Sequence, residues 1–272
     1  MPWVLRGLRH GVATTGWPKS ADPYFDSWTG VAQPRPDAEQ HEGGPADQLE
    51  ALCPSGAIGH REGWVVVDAG GCIGCGRCIV EHPDIFEWRR GSDPARFQRA
   101  ALVVPGGEGG ESGEGDDRQL EAIRADLARR TRTFGRSVHI RHVDAGSDGA
   151  EEWEVAALLN PIYDIHRLGL FFTASPRHAD ILLVTGIGAT GMREPLARTL
   201  EAMPEPVVVV AVGTDACSGG MFAGSYAGSD GVDDLVDVDV WVPGAPPSPF
   251  AILHGLLLAL DWLPGRVTGF VS

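Results

Sequence analysis

The stretch CIGCGRCIVEHP, residues 72–83, sets three cysteines at two-residue intervals. Soft thiolates at this spacing open the C-x2-C-x2-C-x3-C-P run that holds [4Fe–4S] clusters. In two-cluster proteins the fourth cysteine of the run serves the other cluster. Here that place is taken by His82, followed by Pro83. The fourth ligand for Cys72, Cys75 and Cys78 must then come from an earlier Cys-Pro, and ALCPSGAI supplies Cys53-Pro54. Counting back from Cys53 by the same spacing gives Leu49, Ala46 and Gly43, none of which is a ligand. The pattern predicts one complete site for a [4Fe–4S] cluster, on Cys53, Cys72, Cys75 and Cys78. A second site has been vacated, and His82 marks it without ligating. Four cysteines also suit Zn²⁺, although a zinc ribbon shows two C-x2-C knuckles rather than three cysteines in one run.

The elements that must position these thiolates lie in residues 1–105, a segment poor in helical periodicity and rich in Pro, Gly and Trp. Residues 106–117, GGEGGESGEGDD, hold glycine and acid but no large apolar side chain. Such a stretch buries too little to offset its ordering entropy and reads as a linker. Beyond it, RQLEAIRADLARRTRTFG has helical spacing and stops at a glycine, and SVHIRHVDAG alternates like a strand. ADILLVTG and PVVVVAVG are continuous apolar runs, as strands buried on both faces should be, with the helix MREPLARTLEAM between them. Strand, helix, strand in that order implies a parallel sheet. FAILHGLLLALDWL, residues 250–263, reads as a partly buried helix, too short and too polar to span a bilayer.

The chain has 272 residues and a net charge of −15, which argues against a nucleic-acid binder. Five cysteines, four of them close in sequence, fit a metal site in a reducing compartment better than a secreted disulfide framework. No export signal is visible after the opening MPWVLRGLRHGV. TGIGATG, residues 185–191, places G-x-G-x-x-G between a strand and a helix, the setting of a dinucleotide-binding turn. It keeps open a reading as an NAD(P)-dependent oxidoreductase.

A long stretch, NPIYDIHRLGLFFTASPRHADILLVTGIGATGMREPLARTLEAMPEP, closely resembles the small subunit of energy-converting [NiFe] hydrogenases and formate hydrogenlyase. That subunit is homologous to the quinone-proximal iron–sulfur subunit of respiratory complex I. IRHVDAGS, SGGMFAGSY and VDVDVWVPGAPPSPFAIL extend the resemblance over about residues 119–262. The N-terminal segment, including RGLRHGVATTGWP, resembles the two-cluster ferredoxin-like subunit of the same complexes. The resemblance implies a fusion, α/β in class. A ferredoxin-like α+β cluster domain (1–105) is followed, after the linker, by a flavodoxin-like parallel-sheet domain (118–272).

The resemblance also implies an electron-transfer subunit on the cytoplasmic face of a membrane complex. Its expected partners are large-subunit-like and membrane-arm subunits, with no nucleic acid and no span of its own. The departures from the family are specific. The four positions that hold cluster cysteines in the family's small subunit are Asp148, Glu151, Asp215 and Ala245 here, so the cluster beside the large subunit should be absent. Cys217 is not at a ligand position and reads as a small buried residue. The carboxylates are expected to meet in space as a metal-free polar network, with Arg141, Arg167 and Arg177 as candidate partners and a divalent ion as the lesser outcome. Glu154, Asp164, Arg167 and Arg177 remain from the family's docking face. A mainly structural subunit of such a complex is the alternative.

Overall fold

Short helices and small sheets make up the first hundred residues, as the scarcity of periodic signals predicts. The computed structural model describes residues 2–22, 24–36, 46–61, 63–106, 117–135 and 137–263. Helix α1 (Trp3–His10) is followed by β1 (Thr29–Pro34), α2 (Ala46–Leu52), β2 (Ile58–Arg61) and β3 (Trp64–Asp68). Then come α3 (Arg77–Glu81), β4 (Phe86–Arg90) and β5 (Val103–Pro105). β1 and β4 pair antiparallel, and β2-β3-β5 form a second antiparallel sheet. Most of the expected Gly/acid linker, 107–116, lies outside the described residues. On its near side, the Gly106 N–H donates to Val65 O at 2.8 Å.

Helix α4 (Asp117–Thr131) opens the second half and ends through a 3-10 turn at Gly135, whose φ of 68° suits a residue without Cβ. It is followed by β6 (Val138–Asp144), α5 (Ala150–Ala157), β7 (Leu170–Phe172), β8 (Ile181–Thr185), α6 (Arg193–Glu201), β9 (Val208–Val212), α7 (Thr214–Ser218), β10 (Val240–Val242) and α8 (Pro249–Ala259). The five strands are parallel in the order β10-β9-β8-β6-β7. Counted from β6, this is the flavodoxin-like order, whose switch point falls between the first and third strands, β6 and β8. Every residue of β8 and β9 is buried, as their unbroken apolar runs predict. The fold class is therefore α/β, as expected.

One element differs from expectation. α8 is wholly buried rather than partly so, with every residue from Pro249 to Ala259 inside. The reason is that both halves of the chain close over it. Phe250 meets Trp17 and Phe25 from the N-terminal half and Tyr163 from the C-terminal half, at centroid distances of 5.8, 5.6 and 5.1 Å. The helix tolerates His254 because burial pushes that ring's pKa down to about 3 and keeps it neutral. The halves also share a backbone bridge, in which Arg96 and Trp241 exchange N–H···O bonds of 2.9 and 2.8 Å at the β10 edge.

Candidate functional site

The four predicted cysteines come together. Cys53 follows α2, Cys72 and Cys75 lie on the loop between β3 and α3, and Cys78 sits in α3 itself. All four line one cavity, otherwise walled mainly by apolar groups such as Ala32, Ile58, Val67 and Ile73. The loop turns sharply through Gly74 and Gly76, at φ of 65° and 71°, and Trp88 packs over Gly76 where a Cβ would stand 2.8 Å from its ring. Backbone donors face the sulfurs: Ala32 N–H reaches Cys72 Sγ at 3.4 Å, and Ala57 N–H reaches Cys53 Sγ at 3.2 Å. His82 caps the end of α3 through its N–H to Cys78 O at 2.8 Å, and it does not line the cavity.

The electrostatics of this cavity favour neutral thiols. Burial pushes the Cys78 thiol up to about 11, helped by repulsion from Cys72, Cys53 and Cys75. Burial also raises Cys72, against the N–H groups of Ala32 and Gly74 that favour its thiolate. Such thiols ionise together only when positive metal is supplied. Among the described residues no three His, Cys, Asp or Glu side chains converge tightly enough to hold a single metal ion. A [4Fe–4S] cluster makes a different demand, because each thiolate binds its own iron and the sulfurs ring a volume instead of meeting at a point. Four cysteines around one apolar cavity, with N–H donors on the sulfurs, fit that demand.

The second candidate region is the carboxyl end of the parallel sheet, where open α/β folds place their sites. Glu151, in the first turn of α5, is 3% exposed, and its Oε2 has no partner among the described residues. It lies flat on Gly213, at φ 97°, where a Cβ would stand 2.6 Å from its Cγ and Oε1. Burial and the charges of Asp215, Asp148 and Glu152 push the Glu151 carboxyl up to about 7. Burial, with Asp148 and Glu152, pushes Asp215 up to about 6. Burial is the larger cause of both shifts, and the added repulsion among Asp148, Glu151 and Asp215 shows that these three carboxylates lie near one another.

The expected cationic partners do not join them. Arg167 donates from Nε to Tyr163 O at 3.2 Å and from a terminal nitrogen to Trp17 O. Arg177 is exposed, and Arg141 Nε is buried without a partner among the described residues. Arg141 neighbours His142 on β6, so the two side chains take opposite faces of the sheet, and His142 turns toward Glu152 at 3.7 Å. What sequence reasoning missed is a hydrogen-bonded network beside them. Glu152 accepts hydrogen bonds from Thr185 Oγ1 and Ser147 Oγ, and His142 Nε2 lies 3.0 Å from Thr185 Oγ1. Its members come from β6, β8, α5 and the loop before α5, and no local spacing signals that meeting. Cys217 is buried within α7, and burial pushes its thiol up to about 12.

The G-x-G-x-x-G turn is occupied by the protein itself. Ala189 N–H donates to Ala145 O at 2.7 Å and Thr190 N–H to Ala227 O at 2.8 Å. A Cβ on Gly186, at φ 84°, would stand 2.5 Å from Ser147 N. The donors that would cradle a pyrophosphate are thus spent on neighbouring loops.

Residues 149–259 match the family model described as NADH ubiquinone oxidoreductase, 20 Kd subunit. The chain is 41% identical over 145 residues to the probable membrane-bound hydrogenase subunit mbhJ of Pyrococcus furiosus, covering 53% of this chain and 87% of that one. It is 37% identical over 151 residues to formate hydrogenlyase subunit 7 of Escherichia coli, covering 56% of this chain and 58% of that one. Among solved structures, a chain of the archaeal membrane-bound sulfane sulfur reductase aligns with a TM-score of 0.44 at 27% identity, over 52% of this chain and 78% of that one. The chain belongs to the NADH ubiquinone oxidoreductase 20 kDa subunit family.

Proposed function

We propose that this chain is an iron–sulfur electron-transfer subunit of a membrane-bound complex of the complex I-like or hydrogenase-related kind. It holds one [4Fe–4S] cluster on Cys53, Cys72, Cys75 and Cys78, in a ferredoxin-like domain (1–105) joined by a linker (106–117) to the small-subunit-like domain (118–272). When bound, the cluster would accept and release one electron. The observation that carries this reading is the single apolar cavity lined by all four cysteines with N–H groups aimed at its sulfurs. At the former ligand positions Asp148, Glu151, Asp215 and Ala245 the hard oxygens and the methyl offer no thiolate, so no second cluster forms there.

The relatives' names support partners of the large-subunit and membrane-arm type. Trp153, Met221, Phe222 and Tyr226 are large apolar side chains left exposed, and a large-subunit partner would cover them. Among the described residues no helix is long and apolar enough to cross a membrane, which fits attachment to the cytoplasmic side through partners. The test is iron and sulfide analysis with EPR on the anaerobically purified full chain. About four irons per chain and one signal on reduction support the reading, and a chain free of iron refutes it.

A further inference from the structure

The loop that leads into Cys72 is tied at almost every backbone polar group. Gly70 N–H donates to Asp68 Oδ1 at 2.9 Å, and Gly71 N–H donates to Asp68 O at 3.0 Å. Gly71 O accepts from Ser55 Oγ at 2.7 Å. The remaining ties come from α7 in the other half of the chain. Ser218 Oγ donates to Gly70 O at 2.9 Å, and Thr214 Oγ1 donates to Cys72 O at 3.0 Å. Arg99 locks the corner: its terminal nitrogens grip Asp68 at 2.7 and 2.6 Å while its Nε donates to Cys217 O at 2.7 Å. The guanidinium lies flat on the backbone, since a Cβ on Gly70 would stand 2.8 Å from its central carbon.

We infer that Asp68, Arg99 and Thr214 are positioning residues that set the reduction potential of the Cys72 site and make it depend on helix α7. This rests on the cluster assignment proposed above. Reduction adds one negative charge at the cysteine cavity. A nearby cation or hydrogen-bond donor therefore favours the reduced form, and a nearby anion disfavours it. Both members of the Asp68–Arg99 pair keep more than a quarter of their side-chain surface exposed, at 28% and 27%, so water screens but does not erase their fields. Because the pair is neutral as a whole, removing either member exposes the charge of the other. The Thr214 hydroxyl polarises the carbonyl of a ligand residue directly.

The experiment is an EPR-monitored redox titration of the full-length, cluster-loaded chain and four variants. Asp68→Asn should raise the midpoint potential, while Arg99→Met and Thr214→Val should lower it. Each charge change should alter the one-electron reduction equilibrium by about threefold or more. Thr214→Ser, which keeps the hydroxyl, should restore the wild-type value. A merely structural clamp would move Asp68→Asn and Arg99→Met in the same direction, with iron lost alongside, and that result overturns the inference. So do unchanged potentials at full iron content. Should Arg99→Met fail to fold, the opposed shifts of Asp68→Asn and Thr214→Val, with rescue by Thr214→Ser, still decide it. A wild-type chain that holds no iron removes the cluster assignment itself, and this inference with it.

Discussion

Glu151→Gln should make this protein more stable in alkaline solution while leaving it unchanged in mild acid. The native carboxyl is held neutral because burial and the charges of Asp215, Asp148 and Glu152 raise it from an ordinary 4.5 to about 7. Between those two pH values the folded state keeps a proton that the unfolded chain has released. The stabilisation from this group is thus complete below about pH 4.5 and is lost as pH rises through about 7. The shift sets a ceiling of about 3 kcal/mol. Water reaching the exposed neighbour Asp148 brings the expectation down to about 1–2 kcal/mol. Glutamine keeps the shape and never ionises. In urea unfolding the variant should match wild type at pH 4 and exceed it by about 1–2 kcal/mol at pH 8.5, or roughly 3–6 °C in melting temperature. Taking the difference between the two proteins at each pH cancels His254, which titrates in both. A variant that shows no greater advantage over wild type at pH 8.5 than at pH 4 would refute the reasoning.

Three further outcomes follow from the same geometry. His82→Ala should leave iron content and the EPR signal intact, whereas Cys53→Ala should destroy or convert the cluster; the reverse result would overturn the ligand assignment. Phe250→Ala, which empties the aromatic contact joining Trp17, Phe25 and Tyr163, should cost about 3–5 kcal/mol in denaturant titrations. NAD(H) and NADP(H) should show no binding by calorimetry at millimolar concentration, and a measurable affinity would reinstate the nucleotide reading of TGIGATG.

The parts of this molecule that announced themselves in the sequence are those governed by short-range order. ADILLVTG and PVVVVAVG could be read as doubly covered strands because a central parallel strand needs apolar side chains at every position. The cysteine spacing is equally local, since one turn of loop must deliver three thiolates to one cavity. Long-range pairings leave no such trace. Arg99 meets Asp68 across 31 residues and Cys217 across 118, and nothing near Arg99 distinguishes it from the other arginines. The burial of α8 was underestimated for a related reason. His254 and Asp261 lower its apparent hydrophobicity, but the covering surface comes from Trp17, Phe25 and Ala95, far away in the chain. Asp148, Glu151 and Asp215 were expected to meet because the resemblance places them at one end of the sheet. Their partners were misjudged because Arg167 is drawn to the carbonyls of Tyr163 and Trp17, and Arg177 is exposed.

The seam between α7 and the Cys72 loop also bears on the order in which the protein is made. Gly70, Cys72 and Arg99 are all translated more than a hundred residues before Ser218, Thr214 and Cys217, which cover them. Nascent chains order their early parts first. For much of synthesis, then, the backbone of the cysteine loop lacks the hydrogen bonds that α7 later supplies, and its carbonyls are left to water.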